Sequence, residues 1–103
     1  MTQAELHTLL ETTNLQVAYH HFKTTQVPSY IVFLRSYDNN ISADNKVWSK
    51  AKNYQIELYT NKKDLVTELI LETVLDGADI FYSTSETYID TENLYQIVYE
   101  IQI

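Results

Sequence analysis

The side chains that most often bind metals or transfer protons are few and scattered along this chain. The histidines are His7, His20 and His21, and the 103 residues include no cysteine. Adjacent residues of a strand point to opposite faces of its sheet, so His20 and His21 are not expected to chelate one ion together. Because zinc sites are usually built from cysteine and histidine clusters, the histidines are interpreted as surface imidazoles.

A polar run in the first half of the chain resembles a set of oxygen ligands. It places Asp38, Asn40 and Ser42 at alternating positions, as calcium-binding loops do. The EF-hand loop also needs glycine at its sixth position and glutamate at its twelfth. This chain has Ala43 and Ser49 at those positions, so a solvated loop is favoured over a metal site.

The remaining charged clusters lack the partners that catalysis requires. Glu86, Asp90 and Glu92 are close in sequence, but no histidine, lysine or serine pattern nearby supports general acid–base chemistry. Lys62 and Lys63 at a helix start could attract an anion, although a capped helix with solvated lysines is the simpler interpretation. The single glycine cannot form a phosphate-binding loop. The sequence therefore predicts no catalytic residue, no cofactor and no metal, and a non-enzymatic function.

The clearest structural pattern is a strand followed by a helix in residues 51–78. Tyr54, Ile56 and Leu58 alternate with more polar residues, as in a strand with one buried face. Asn61 is then expected to cap the helix, with Asp64 in its favourable first turn.

The helix pattern predicts which face is buried. Glu68 and Glu72 are expected on the wet side, and Gly77 is expected as the left-handed residue just beyond the helix end. The stripe predicted to pack on the sheet consists of Leu65, Val66, Leu69, Ile70, Thr73 and Val74.

The other elements follow from capping and alternation signals. Thr2 and Glu5 form a capping-box sequence, which predicts a first helix over residues 3–13. The remaining strands are predicted at 17–22, 30–37, 47–60, 80–88 and 94–103, with a loop at 38–45. The order α-β-β-β-α-β-β predicts an α+β domain, residues 1–103, with two helices on one face of a mixed, mostly antiparallel sheet. The hairpin connections are expected to be antiparallel.

Composition narrows the classes of partner. The chain has 14 acidic and 7 basic side chains, a net charge of −7, which disfavours binding to a nucleic-acid backbone. No apolar run approaches the roughly 20 residues of a membrane span, and no secretory signal is recognised. A soluble protein in a reducing cytoplasm is expected.

Aromatic residues are the better functional lead. Nine tyrosines accompany one tryptophan, and a domain of this size cannot bury all of them. Exposed aromatics are common interface anchors, but strand tyrosines with wet hydroxyls are equally consistent with the pattern. The residues concerned are Tyr37, Trp48, Tyr59, Tyr82, Tyr88 and Tyr95.

Several phrases of the sequence resemble a family of small structural proteins of tailed phages and prophages of Gram-positive bacteria, the tail terminator or tail-completion proteins. The likeness lies in residues 30–40, 42–48, 54–64 and 88–100, and in the short N-terminal helix. These are segments of predicted strands and loops, and none is a catalytic signature. The order of elements also resembles the tail terminator fold.

The resemblance implies a non-enzymatic role in virion assembly. Family members assemble as a ring, usually of six copies, which stops growth of the tail tube and offers a docking face to the head. The resemblance therefore implies a homo-oligomer that contacts the tail tube protein and the head–tail connector. It also implies a location in the host cytoplasm during assembly and in the virion tail afterwards. The resemblance implies neither sequence-specific binding of nucleic acid nor association with a membrane. Ring or tube contacts are expected at Asp38, Asn39, Asn40, Asp44, Asn45 and Trp48.

Two alternatives stay open at this point. One is another head–tail connector or tail tube component, which copy number in the virion would separate from a terminator. The other is a small non-structural protein-binding module, which would be monomeric.

In a ring, acidic groups such as Asp38 and Asp44 are expected to face a lumen through which DNA slides.

Overall fold

A five-stranded sheet carries two helices on one of its faces in the computed structural model of the chain. The structure describes residues 1–43 and 46–103, and the side chains of residues 37–51 lie outside the description. In chain order the elements are α1 (Gln3–Glu11), β1 (Gln16–Tyr19), β2 (Tyr30–Ala43), β3 (Lys46–Thr60), α2 (Leu65–Gly77), β4 (Tyr82–Ile89) and β5 (Leu94–Gln102). The predicted α+β class and order of elements are confirmed.

The strands lie in the order β1-β2-β3-β5-β4, so β3 is the middle strand. Neighbours pair antiparallel from β2 to β4, whereas β1 and β2 are parallel. The expected antiparallel connection of β1 and β2 is therefore wrong. The chain leaves β1 at His20, whose φ is 70°, and residues 20–29 carry it back to the start of β2.

The core lies between the sheet and the helices. Alternate residues of β2, β3 and β5 point towards the helices because side chains of a strand alternate between its faces. Leu6 and Leu10 of α1 and Leu71 and Leu75 of α2 are fully buried against them. The sheet contributes Ile31, Phe33, Tyr54, Ile56, Leu58, Ile97, Tyr99 and Ile101.

The start of α1 is as predicted. Thr2 caps the helix, its hydroxyl accepting from the Glu5 backbone N–H at 3.1 Å while the Glu5 carboxylate accepts from the Thr2 N–H at 2.9 Å. Asn14, beyond the helix end, has a left-handed backbone with φ 65°.

The start and end of α2 differ from the prediction. Asp64, not Asn61, is the N-cap, and its carboxylate accepts from the Thr67 N–H at 3.2 Å. Gly77 lies inside the helix without a positive φ, and the left-handed residue is Asp79, with φ 56°. An aspartate tolerates this conformation better than most residues, so the glycine is not needed to end the helix.

The face of α2 that packs on the sheet is also not the predicted one. Glu68, Leu71 and Leu75 are buried. Most of the predicted inner stripe is exposed, namely Leu65, Val66, Leu69, Ile70 and Thr73. The helix has apolar residues on both sides, so periodicity alone did not decide which side the sheet covers.

The predicted loop at residues 38–45 is largely a β-hairpin. β2 continues to Ala43 and β3 begins at Lys46, and the two strands pair with register shifts after Arg35 and after Ile41. Cross-strand hydrogen bonds satisfy the backbone, which allows polar residues to occupy strand positions.

Among the described residues, no helix is long and apolar enough to cross a bilayer.

Candidate assembly surface

The most unusual surface is the outward side of α2. We define the α2 stripe as Leu65, Val66, Leu69 and Ile70, which are exposed by 68%, 71%, 63% and 42%. Residues three and four apart are neighbours on a helix, so these side chains form one continuous apolar patch. Scattered apolar residues are normal on a surface, whereas a contiguous patch is typical of a protein–protein contact.

The first cause of this orientation is the pairing of Glu68. Lys63, in the turn before α2, donates to the Glu68 carboxylate at 2.7 Å and also contacts Glu86 of β4. These two hydrogen bonds raise the pKa of Lys63. A carboxylate can turn inward when a cation compensates its desolvation, so this ion pair holds the glutamate against the sheet.

The second cause of the orientation of α2 is a tyrosine of β5 that contacts the helix. The Tyr99 hydroxyl donates to the Glu72 carboxylate at 2.8 Å, and Tyr82 packs edge-on against the Tyr99 ring. Burial raises the pKa of Tyr99, and the neighbouring Glu72 raises it further. Both glutamates of α2 therefore have partners on the sheet side, which leaves the stripe facing solvent.

A further exposed apolar residue lies outside the helix. Phe81, in the connection from α2 to β4, is 94% exposed. Fully burying a leucine or phenylalanine side chain contributes about 1.5–3 kcal/mol, so covering the α2 stripe would stabilise an assembly substantially. Of the three acidic residues of α2, Asp76 is exposed, whereas Glu68 and Glu72 have their partners on the sheet side.

A second feature is a cleft of about 640 Å³ on the opposite face of the sheet. Tyr30 and Tyr59 stack in it with ring centroids 5.0 Å apart, and Phe22 packs edge-on against Tyr30. The Tyr59 hydroxyl donates to Glu57 at 2.8 Å and accepts from Gln96 at 2.8 Å. Burial, and then the bond to Glu57, raise the pKa of Tyr59. The cleft is amphipathic, with no nucleophile–base pair among these residues.

The two adjacent histidines are closer than the sequence predicted. Because β1 ends at Tyr19 and His20 adopts a positive φ, His20 and His21 do not alternate as in a strand. Their Nδ1 atoms are 3.0 Å apart, and both residues line the cleft. The premise that they face opposite sides is wrong. In the described part of the chain, no group of three metal-ligating side chains occurs.

Among the other charged residues singled out in the sequence, one pair is brought together. Glu86 contacts Lys63, whereas Asp90 and Glu92 lie in the turn between β4 and β5. Lys62 is exposed in the turn before α2.

The predicted interface residues fall mainly on the β2–β3 hairpin. Asp38, Asn39 and Asn40 are in β2 and Trp48 is in β3, but their side chains lie outside the description. Asp44 and Asn45 lie outside the described residues altogether, so contacts at these six positions stay a prediction.

Most of the described aromatic residues that were considered as interface anchors are partly buried in the sheet. Tyr59, Tyr82 and Tyr95 are half-buried, whereas Tyr88 is exposed. The side chains of Tyr37 and Trp48 lie outside the description. The exposed Phe81 and the α2 stripe were not predicted, and the only available signal was the excess of apolar residues around α2.

No protein-family model matches the chain, and neither does any curated protein.

Proposed function

We propose that this protein is a non-enzymatic structural subunit of a phage tail, a tail terminator that assembles as a ring at the end of the tail tube. The observation that carries the proposal is the α2 stripe. Apolar side chains that are contiguous and largely exposed in one copy are expected to be covered when copies associate. The resemblance of the sequence to tail terminators supplies the kind of assembly.

The shape of the chain supports the same role. The structure extends 50 Å along its longest axis and 28 and 24 Å along the others, because the β2–β3 hairpin projects beyond the rest of the sheet. A projecting hairpin gives a small subunit the reach to contact its neighbours or the tube. The net charge of −7 suits a ring whose lumen lets DNA slide past without binding.

In this proposal the partners are further copies of the chain, the tail tube protein and the head–tail connector. Assembly takes place in the cytoplasm of the bacterial host, and the ring stays in the virion. Six copies of 12.1 kDa would have a mass of about 73 kDa.

The proposal is tested by light scattering across a concentration series, combined with end-on electron microscopy and with addition of preformed tail tubes. A ring of six with a central hole, or a ring formed only on tube ends, is the expected result. A protein that stays monomeric and does not bind tubes would contradict it. Copy number in virions separates a terminator, with one ring, from a tube component with many.

A protein-binding module is the second candidate, and the cleft between Phe22, Tyr30 and Tyr59 favours it. An amphipathic groove of this kind suits an extended peptide with an apolar anchor. In that case Tyr30→Ala would abolish binding of the partner, whereas a polar substitution at Leu69 in the α2 stripe would leave binding unchanged. The opposite result favours the assembly subunit.

A further inference from the structure

A strained turn at the end of β1 holds two histidines together. The His21 N–H donates to the Tyr19 carbonyl at 2.8 Å, and His20 between them has a φ of 70°. A three-residue turn of this kind with a positive φ at its centre is a rare and strained γ-turn. Such strain persists only where the surrounding structure enforces it, and it clusters at functional sites. The turn is therefore a candidate for function.

The neighbouring strand enforces the conformation of this turn. The His20 N–H donates to the Phe33 carbonyl of β2 at 2.8 Å. The Tyr19 ring packs edge-on against the buried Phe33 ring with centroids 5.2 Å apart, and the Tyr19 hydroxyl accepts from the Arg35 N–H at 3.3 Å. These contacts fix the backbone from which both imidazoles project. A strand would have placed the two imidazoles on opposite faces, so the turn is what brings them together.

The separation of the two imidazoles suits a metal ion. Their Nδ1 atoms are 3.0 Å apart, within the distance at which one nitrogen donates its proton to the other. An ion about 2.0–2.1 Å from each nitrogen, the usual metal–imidazole distance, would make an N–metal–N angle of about 95°. That angle is close to the right angle of tetragonal Cu²⁺ and Ni²⁺ sites, whereas tetrahedral Zn²⁺ prefers about 109°.

The surroundings of the pair favour a cation and leave room for it. His20 and His21 are both exposed and both line the cleft, so an ion and its bound water can reach them. Among the described residues that line the cleft, Glu57 and Glu92 are acidic, and none is a lysine or an arginine. A cleft lined by one sign of charge raises the local concentration of the opposite ion.

We propose that His20 and His21 form a chelating site for one divalent transition-metal ion, with Cu²⁺ preferred. The two Nδ1 atoms are the protein ligands, and water fills the remaining positions. Cu²⁺ is preferred because of the angle and because it binds nitrogen and oxygen ligands most tightly among the first-row divalent ions.

Binding exchanges a proton position for the metal. The ion takes the place of the proton between the two Nδ1 atoms, and that proton moves through solvent to Nε2 of the same imidazole. Both imidazoles then bind as neutral Nε2–H tautomers, and neutral imidazoles release no net proton. This site goes beyond the proposed function and does not depend on the assembly of copies.

Titration of the full chain with Cu²⁺ in a weakly competing buffer tests the site, with electron paramagnetic resonance to count the coordinated imidazoles. The wild type should bind one ion through two imidazoles. His20→Asn keeps a residue that tolerates positive φ, and His21→Ala removes the other ligand. Each should bind through one imidazole with an affinity at least about tenfold lower, because even the loss of an outer-shell partner costs this much.

The third histidine provides the matched control. His7 lies on α1, and His7→Asn should leave both the affinity and the count of two imidazoles unchanged. Equal affinities of the wild type and His21→Ala, or a single coordinated imidazole in the wild type, would overturn the proposal.

Thermal unfolding separates a site built by the fold from two histidines that are merely adjacent in sequence. An ion that binds the folded chain more tightly than the unfolded chain raises the melting temperature, whereas binding to the unfolded chain reduces that effect. The melting temperature of the wild type should rise with Cu²⁺ concentration, and that of His20→Asn should not. An unchanged or lowered melting temperature in the wild type would overturn the preformed site.

Light scattering on the same samples distinguishes this inference from the proposed function. Cu²⁺ should leave the mass of the wild type unchanged, because both ligands come from one copy. A mass that rises with Cu²⁺, and does not rise in His21→Ala, would show that two copies share the ion and would overturn the chelate. A monomer that binds Cu²⁺ through two imidazoles and does not bind tail tubes would overturn the tail terminator and leave the site standing.

Discussion

Tyr99 and Glu72 join the sheet to the second helix, with the tyrosine hydroxyl donating to the carboxylate at 2.8 Å. Tyr99 is fully buried on β5, and Glu72 is on the turn of α2 that follows Glu68. This bond and the Lys63–Glu68 ion pair fix the rotation of the helix. The outward apolar stripe is a direct consequence.

The buried tyrosine predicts how stability depends on pH. Burial, and then Glu72, raise the pKa of Tyr99 in the folded state above its value in the unfolded chain. The stabilisation is therefore complete below the unfolded pKa of about 10 and is lost as the pH rises above it. We expect the free energy of unfolding to decrease above about pH 10, with a smaller slope in Tyr99→Phe than in the wild type.

Urea unfolding at a series of alkaline pH values measures this slope. Tyr88→Phe is the matched control, because Tyr88 is exposed and donates only to Asn93 at the protein surface. An equal effect of the two substitutions would show that the Tyr99–Glu72 bond does not carry the pH dependence.

The rotation of α2 predicts opposite roles for two leucines. Leu71 is fully buried and Leu69 is 63% exposed. Leu71→Ala should cost about 2–5 kcal/mol of stability because it removes core contacts and leaves a cavity. Leu69→Ala should cost less than about 1 kcal/mol in the monomer. Thermal and urea unfolding at low protein concentration measures both, and a reversed ranking would restore the face predicted from the sequence.

The start of α2 predicts that Asp64, and not Asn61, stabilises the helix as its N-cap. Asp64 accepts from both the backbone N–H and the hydroxyl of Thr67, and these bonds lower its pKa. Asp64→Ala should lower the melting temperature near neutral pH, whereas Asn61→Ala should leave it unchanged. The difference should vanish as the pH falls through the Asp64 pKa, since the cap then loses its charge. Equal melting temperatures at neutral pH would contradict the cap assignment.

The helix end predicts a stabilising substitution. Gly77 lies in α2, and an added Cβ would meet nothing within 4 Å. Gly77→Ala should therefore stabilise the protein by about 0.5–1 kcal/mol, because alanine loses less backbone entropy in a helix. Asp79→Ala is the contrasting variant and should destabilise, since its φ is positive. Differential scanning calorimetry measures both, and destabilisation by Gly77→Ala would show that the glycine conformation is needed.

Local patterns in the sequence predicted the elements well. The alternation of Tyr54, Ile56 and Leu58 marked β3, and the pairing of Thr2 with Glu5 marked the start of α1, because these signals depend only on near neighbours. The parallel pairing of β1 with β2 could not be predicted in this way, since a positive φ at His20 redirects the chain.

The candidate surface depended on distant contacts and was missed for that reason. The inward position of Glu68 requires Lys63 and Glu86, which come together only in the folded chain. The hairpin was predicted as a loop because its residues are polar, and pairing between strands overrides that preference.

The mass of the protein in solution tests the central claim that the α2 stripe is covered by another protein chain. We would compare, by light scattering, the wild type, Val66→Ser/Leu69→Ser and the control Val27→Ser, which changes an exposed valine away from the stripe. We expect an assembly larger than the 12.1 kDa monomer for the wild type and the control, and a folded monomer for the double variant. An unchanged mass in the double variant would contradict the claim.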